Sequence, residues 1–238
     1  MSENQRNFSD LTIIIPTLNE EQTIGLLLEK LEKEVPQSTV IVSDDGSKDK
    51  TKEVVENHKG SIQTKFLNRS TKKIHGLTIS VLDAIESCDT EFFVVMDGDL
   101  QHPSEVVPNF HKVLREGYDL AAGKRIKVIG KWPLHRRIMS YGAIMLGRFS
   151  LILRGRNRVK DVMSGLYASR TEIWKKVIKE KKGKFALEGY KVLFDFLRIY
   201  NTKLKITHVD YVFGTRDFGE SKISKKVLWV YFKSLFKK

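Results

Sequence analysis

Apolar runs and polar turns alternate along the first half of the chain in the order that predicts strand, turn and amphipathic helix. Leu11 to Ile15 reads as a first strand stopped by Pro16. From Glu21 to Glu34 the residues Ile24, Leu27, Leu28 and Leu31 recur at helical spacing, so one face of a helix is expected to pack on the sheet. Thr39 to Ser43 is a second strand whose unbroken apolar character predicts burial on both faces, and it runs into the turn Asp44-Asp45-Gly46-Ser47 and a short helix. Thr64 to Leu67 gives a third strand, Leu77, Val81, Ala84 and Ile85 mark a helix, and Phe92 to Met96 forms a fourth strand. A helix with Val106, Val107, Phe110, Val113 and Leu114 inward comes next, then a fifth strand from Asp119 to Gly123. This alternation predicts an α/β fold with a mainly parallel central sheet flanked by helices.

Beyond Gly123 the pattern changes. Residues 126–160 mix Trp132, Leu134, Ile138, Met139 and Ile144 with Lys131, Arg136, Arg137, Arg148, Arg154, Arg156, Arg158 and Lys160, the composition of a helical segment lying in a membrane interface. Val192, Leu193, Phe196 and Leu197 mark a helix, and Leu204 to Phe213 a strand. Residues 224–238 predict an amphipathic C-terminal helix, with Val227, Leu228, Tyr231, Phe232, Leu235 and Phe236 on one stripe flanked by lysines. That stripe suits an anionic bilayer, where Trp132 and Trp229 would enter the interface, and it suits the protein's own core equally.

A length of 238 residues fits a single domain over 1–238. No run reaches the roughly 20 apolar residues needed to span a bilayer, and the start lacks the apolar region of a signal peptide, so a peripheral protein on the cytoplasmic face of a membrane is expected. Cys88, the single cysteine, reads as a small core residue in a reducing compartment. Asn68-Arg69-Ser70 is a chance match to a glycosylation acceptor. The net charge of +13 calls for an anionic partner: nucleic acid, anionic lipid or a polyphosphate ligand. A nucleic-acid-binding module is the reading from another class. It requires a basic stripe with interleaved aromatics, which the chain lacks.

Candidate chemistry gathers where strands end. Asp97 and Asp99 follow the fourth strand directly, in the position where open α/β sheets bind ligands. One residue apart on a bent loop, both carboxylates can face a single hard cation, Mg²⁺ or Mn²⁺, with Gln101 as a further oxygen ligand and phosphates and water completing the shell. Alternatively, the same aspartates cap the following helix. Asp44 and Asp45 occupy the same edge, either as acceptors for a nucleobase or ribose or as an ordinary turn, together with Pro16, Asn19 and Glu20. Arg125 follows the fifth strand, Arg136 and Ser140 lie in the basic segment, and Arg216 and Lys222 bracket Gly219-Glu220-Ser221; guanidinium groups suit bidentate phosphate contacts.

Ile14-Ile15-Pro16-Thr17-Leu18-Asn19-Glu20, Asp44-Asp45-Gly46-Ser47-Lys48-Asp49-Lys50-Thr51 and Val95-Met96-Asp97-Gly98-Asp99-Leu100-Gln101-His102-Pro103 resemble, in this order, the signature series of inverting family-2 glycosyltransferases with the GT-A fold. Within that family the chain is most similar to the dolichyl-phosphate mannose synthases, through Trp132-Pro133 with Arg136 and Ser140, Asp161 with Ser164-Gly165, Gly189-Tyr190-Lys191, and Arg216 with Gly219-Glu220-Ser221-Lys222. The resemblance implies that Asp97, Asp99 and Gln101 meet the metal. It implies a nucleotide-sugar pocket shaped by Pro16, Leu18, Glu20, Val42, Asp44 and Gly98, with Asp97, Asp99, Arg125, Arg216 and Lys222 also touching the donor. Arg125, Arg136 and Ser140 would hold the acceptor phosphate, and Asp99, Arg125, Arg136, Arg216 and Lys222 would carry catalysis. The implied reaction moves mannose from GDP-mannose to dolichyl or another polyprenyl phosphate with inversion; a UDP-sugar donor such as UDP-glucose is the alternative.

Overall fold

In the computed structural model the described residues are 7–129 and 134–215, with backbone alone for 134–139. Seven strands form one mixed sheet: β1 (Leu11–Thr17), β2 (Thr39–Asp44), β3 (Gln63–Asn68), β4 (Phe92–Val95), β5 (Leu120–Val128), β6 (Tyr167–Arg170) and β7 (Ile206–Phe213), in the spatial order β3-β2-β1-β4-β6-β5-β7. Every neighbouring pair is parallel except those of β6, which runs against both β4 and β5. Six strands therefore deliver their carboxyl ends to one edge, and β6 brings its amino end there.

The strand faces alternate as the two-residue period of a strand demands. Ile13, Ile15, Val40, Val42 and Val94 turn to one core, and Ile14, Ile41, Phe93 and Val95 to the other. Helices α1 (Ile24–Glu34) and α4 (Val107–Arg115) close the first core with Leu27, Leu28, Leu31, Phe110 and Leu114. The second is closed by α3 (Leu77–Glu86), α6 (Thr171–Lys181) and α7 (Val192–Ile199). Burying each such aliphatic side chain contributes about 2 kcal/mol relative to exposure. In the second core Trp174 stacks on Phe196 at 3.9 Å and on Tyr167 at 5.5 Å between ring centroids, fixing α6 and α7 to β6. Cys88 is buried, and burial pushes its thiol up to about 12, so it acts as a core residue.

Pro16 does not stop the first strand. β1 continues to Thr17, pairing Pro16 with Ser43 and Thr17 with Asp44 of β2, whereas pairing with β4 ends at Ile14 and Val95. The Met96 amide donates to the Ile14 carbonyl on the β4 side, and the Asp45 amide to the Thr17 carbonyl on the β2 side. Because ladder groups alternate sides, the N–H that proline lacks would have pointed at β4 where no partner follows.

The basic segment contains α5 (Leu134–Leu153), while α2 (Thr51–Glu56) follows the Asp44 turn. Helix α5 exposes Tyr141, Met145, Leu146, Phe149, Ile152 and Leu153, while Ala143, Ile144 and Leu151 pack inward. Among the described residues no helix is long and apolar enough to cross a membrane. The expected C-terminal helix over 224–238, and Lys131 and Trp132, lie outside the described residues.

Candidate functional site

Two loops at the carboxyl edge are laced into one wall. The Asp44 carboxylate is buried, and a buried carboxylate must find donors. It accepts from the Thr17 hydroxyl at 3.0 Å, the Gly46 amide at 3.0 Å, the Ser47 amide at 2.8 Å and the Ser47 hydroxyl. The turn reading of Asp44 is thus realised, with both oxygens engaged inside the loop. Asn19, in the left-handed region at φ 54°, donates its amide to Ser47 Oγ at 2.7 Å and accepts from the Lys48 amide at 2.8 Å. The Glu20 amide donates to Thr51 Oγ1 at 2.9 Å. Leu18 is exposed at this lip and Pro16 half-buried. The Val42 side chain is fully buried in the ladder between Ile15 and Phe66 and packs in the core, two residues before Asp44.

Behind the wall sits a residue the sequence did not single out. Arg69 directly follows β3 and is 1% exposed. Its guanidinium pairs with Asp45, donates to Asp83 at 2.9 Å and Ser80 Oγ at 2.9 Å, and donates to the Ile74 carbonyl at 2.9 Å. Asp45 also accepts from the Gly76 amide at 2.6 Å, with His75 Nδ1 at 3.0 Å. Gly76 has φ 141°, and a side chain there would meet the Glu188 backbone at 3.0 Å. Only glycine allows this approach of the 74–76 loop to residues 187–189, which accept the Thr78 and Ile79 amides.

The acidic loop after β4 is built around Gly98 and His102. A side chain on Gly98 would come within 3.3 Å of Ile15 and 3.5 Å of Thr17, so the loop lies flat on the end of β1. The Asp97 amide donates to His102 Nδ1 at 3.1 Å. His102 is buried with its ring edge-on to Tyr211 and Phe213; burial pushes its pKa down, and the neutral ring keeps Nδ1 an acceptor. Leu100 adopts φ 62°, bending the loop so that buried Asp99 Oδ1 accepts the Gln101 amide at 3.2 Å. Gln101 donates its side-chain amide to the Gly214 carbonyl at 3.2 Å and accepts the Gly214 amide on its own carbonyl at 2.8 Å. The alternative in which these aspartates cap the next helix does not hold: the helical turn begins at Ser104 behind Pro103, with no side-chain cap there or at α4.

Two carboxylates and an amide within five residues fit a Mg²⁺ or Mn²⁺ ion that draws its other ligands from phosphate and water. Among the described residues no group of three His, Cys, Asp or Glu side chains is placed to hold a metal ion.

The opposite wall is cationic. Asp161 takes Arg125 Nε and a terminal nitrogen, each at 2.8 Å, and the Met163 amide at 3.0 Å. Lys191 donates from Nζ to the Met163 carbonyl at 2.9 Å and lies 4.2 Å from the Tyr190 ring centre. Burial and then Arg125 push Lys191 down to about 8, against the opposing pull of Asp161 and Asp97. Gly165, just before β6, sits against the acidic loop, since a side chain there would come within 3.2 Å of Asp97 Oδ2. The structure therefore brings Asp97, Asp99, Gln101, Gly98 and Arg125 to one crevice. Ser140 is half-buried on α5; Arg136 is on the same helix with its side chain outside the described residues, and Arg216 and Lys222 lie outside them entirely.

The sequence pattern of the family described as Glycosyl transferase family 2 matches residues 12–178. The chain is 33% identical over 233 residues to a dolichol-phosphate mannosyltransferase of Pyrococcus furiosus, with 95% of this chain covered and 63% of that relative, so it spans less than two thirds of the relative's length. A dolichol-phosphate mannosyltransferase of Saccharomyces cerevisiae is 28% identical over 242 residues, with 95% of this chain and 85% of the relative covered. Among solved structures, glucosyl-3-phosphoglycerate synthase of Mycobacterium tuberculosis, in complex with Mn²⁺, UDP and glucosyl-3-phosphoglycerate, superposes with a TM-score of 0.63 at 19% identity, over 96% of this chain and 80% of that one.

Proposed function

The chain belongs to glycosyl transferase family 2, and from that premise we propose that it transfers mannose from GDP-mannose to dolichyl or another polyprenyl phosphate, inverting the anomeric carbon. One observation carries the reading. An acidic loop suited to a divalent ion stands beside a wall holding Arg125 and Lys191, so the crevice can take two phosphate-bearing partners at once. The similarity to dolichol-phosphate mannosyltransferases supports the choice of partners.

In the proposed reaction a phosphate oxygen of the acceptor attacks the anomeric carbon as the bond to the donor's β-phosphate oxygen breaks. The products are a polyprenyl-phosphate sugar and GDP. A phosphate monoester is ionised near neutral pH, so the nucleophile needs no general base. Mg²⁺ or Mn²⁺, held by Asp97, Asp99 and Gln101, supplies Lewis-acid stabilisation of the leaving diphosphate. The loops organised by Asp44, with Pro16, Leu18, Glu20 and Gly98, shape the nucleotide pocket, and Arg216 and Lys222 complete the donor phosphate contacts. Arg125, Arg136 and Ser140 orient the acceptor phosphate; fixed cations placed where charge moves lower the barrier without reorganising in the transition state. The single 238-residue domain acts from the cytoplasmic face of an anionic membrane, with the exposed stripe of α5 entering the interface.

The purified protein should be incubated with polyprenyl phosphate, Mg²⁺ or Mn²⁺ and a panel of labelled sugar nucleotides. Lipid-extractable sugar from GDP-mannose is the expected product. Consumption of UDP-glucose instead would reassign the donor, and failure to label lipid phosphate from any donor would overturn the reading.

A further inference from the structure

Segment 161–165 connects the two walls of the crevice: it begins with Asp161, the partner of Arg125, and ends with Gly165 against the Asp97 carboxylate. Lys191 holds its middle through the Met163 carbonyl at 2.9 Å. Its ammonium interacts electrostatically with Arg125, Asp161 and Asp97, the groups to which the two substrates of the proposed reaction are assigned.

The position is an unfavourable one for a lysine. It immediately precedes α7, the positive end of a helix dipole, where a cation is disfavoured. It is desolvated and faces the like charge of Arg125. Of the two carboxylates nearby, Asp161 is engaged by Arg125, and Asp97 is the one proposed to bind a divalent ion. An ammonium has three donors; among the described residues one is spent, on Met163. With Asp161 held by Arg125 and Asp97 given to a divalent ion, a phosphate oxygen would offer the ammonium an acceptor.

We propose that Lys191 contacts the phosphate of the polyprenyl acceptor directly, as a second cation beside Arg125. The assignment rests on the acceptor reading above. It separates the roles of the two cations: Arg125 is oriented by a carboxylate and sets direction, whereas Lys191, whose hydrogen bond among the described residues goes to a backbone carbonyl, reaches the phosphate.

The test is calorimetric titration of farnesyl phosphate into the full-length wild type and the variants Lys191→Met and Lys191→Arg, with GDP and Mn²⁺ titrated in parallel. Methionine keeps the length and apolar contacts of the stem while removing the charge. Lys191→Met should weaken farnesyl phosphate about tenfold or more, the scale of one lost charged hydrogen bond, with GDP–Mn²⁺ affinity and melting temperature near wild type. Lys191→Arg should recover part of the loss. Equal farnesyl phosphate affinity in wild type and Lys191→Met overturns the inference and leaves the proposed function standing, and so does a loss confined to GDP–Mn²⁺. Where wild type binds GDP–Mn²⁺ but no farnesyl phosphate, the acceptor reading itself fails, and this assignment with it. A variant that unfolds sends the comparison to Lys191→Arg, where a pH dependence of farnesyl phosphate affinity identical to that of wild type counts against the assignment.

Discussion

Asp161 holds Arg125 through a single oxygen, with Nε and a terminal guanidinium nitrogen both 2.8 Å from Oδ2, while Oδ1 is committed to the Met163 amide at 3.0 Å. One carboxylate thereby fixes both the arginine and the loop that carries Gly165 to Asp97. Asp161→Asn keeps the shape but removes the charge. We expect kcat/KM for the acceptor to fall by roughly 10²-fold and stability to fall by about 3 kcal/mol, as when one partner leaves a buried pair. Steady-state kinetics and denaturant unfolding measure the two effects separately.

Asp99→Ala removes the buried carboxylate that accepts the Gln101 amide at the bend of the acidic loop. Turnover should drop by about 10² to 10³, the usual scale for removing one electrostatic contact to a transition state. Mn²⁺ binding followed by electron paramagnetic resonance should weaken in parallel. Normal turnover with metal present would sink the assignment of the acidic loop.

Removing the Arg69 guanidinium, as in Arg69→Met, leaves Asp45 and Asp83 without their shared partner in a 1% exposed position. A loss of about 3 to 5 kcal/mol is expected on unfolding. Donor affinity should also fall, since Asp45 ties the Asp44 loop to Gly76. The milder change Arg69→Lys supplies an ammonium that reaches one carboxylate rather than two, and it should restore only part of either.

Lys191 gives a pH signature. Its native pKa of about 8 lies below the ordinary 10.5, with burial and then Arg125 of β5 pushing it down and Asp161 and Asp97 pulling it up. Between those values the unfolded chain binds the extra proton, so this group's contribution to stability improves as pH rises from 8 to 10.5. Acceptor affinity must move the other way, weakening above pH 8 as the ammonium is lost. Lys191→Arg should flatten the affinity profile, and a wild-type profile without any decline across that range would contradict the contact.

Met145 and Phe149 are two of the most exposed apolar residues of α5, 71% and 59% exposed, one helical turn apart on the same stripe. The double change Met145→Ser with Phe149→Ser should leave melting unaffected. Flotation with anionic liposomes should fall about tenfold or more, given the apolar area withdrawn from the interface. Equal flotation of both proteins would place the membrane contact elsewhere.

The strands of the first half were legible because parallel, doubly covered strands are written as continuous apolar runs, as in Val40-Ile41-Val42 and Phe93-Val94-Val95. β6 was not, since Tyr167-Ala168-Ser169-Arg170 is short and carries no such run; its place comes from pairing on both sides. α6 went unread with it. The acidic loops were legible from their position after strands, whereas Arg125, expected just past a fifth strand ending at Gly123, lies inside β5, which pairs with β7 as far as Val128. Arg69 was not, because an arginine between Asn68 and Ser70 looks like a surface charge until β3 is seen to end at the shared edge; its place directly after a strand was the available signal.

Pro16 leaves β1 and β4 unable to add another rung to their ladder. Beyond Ile14 and Val95 the ladder ends, and the imino acid offers no N–H to extend it. Strand β1 runs on beside β2 alone, and the chain leaving β4 is released to turn over its tip, where Gly98 lies against Ile15 and Thr17. A pyrrolidine ring thus decides where the sheet stops and the acidic loop begins.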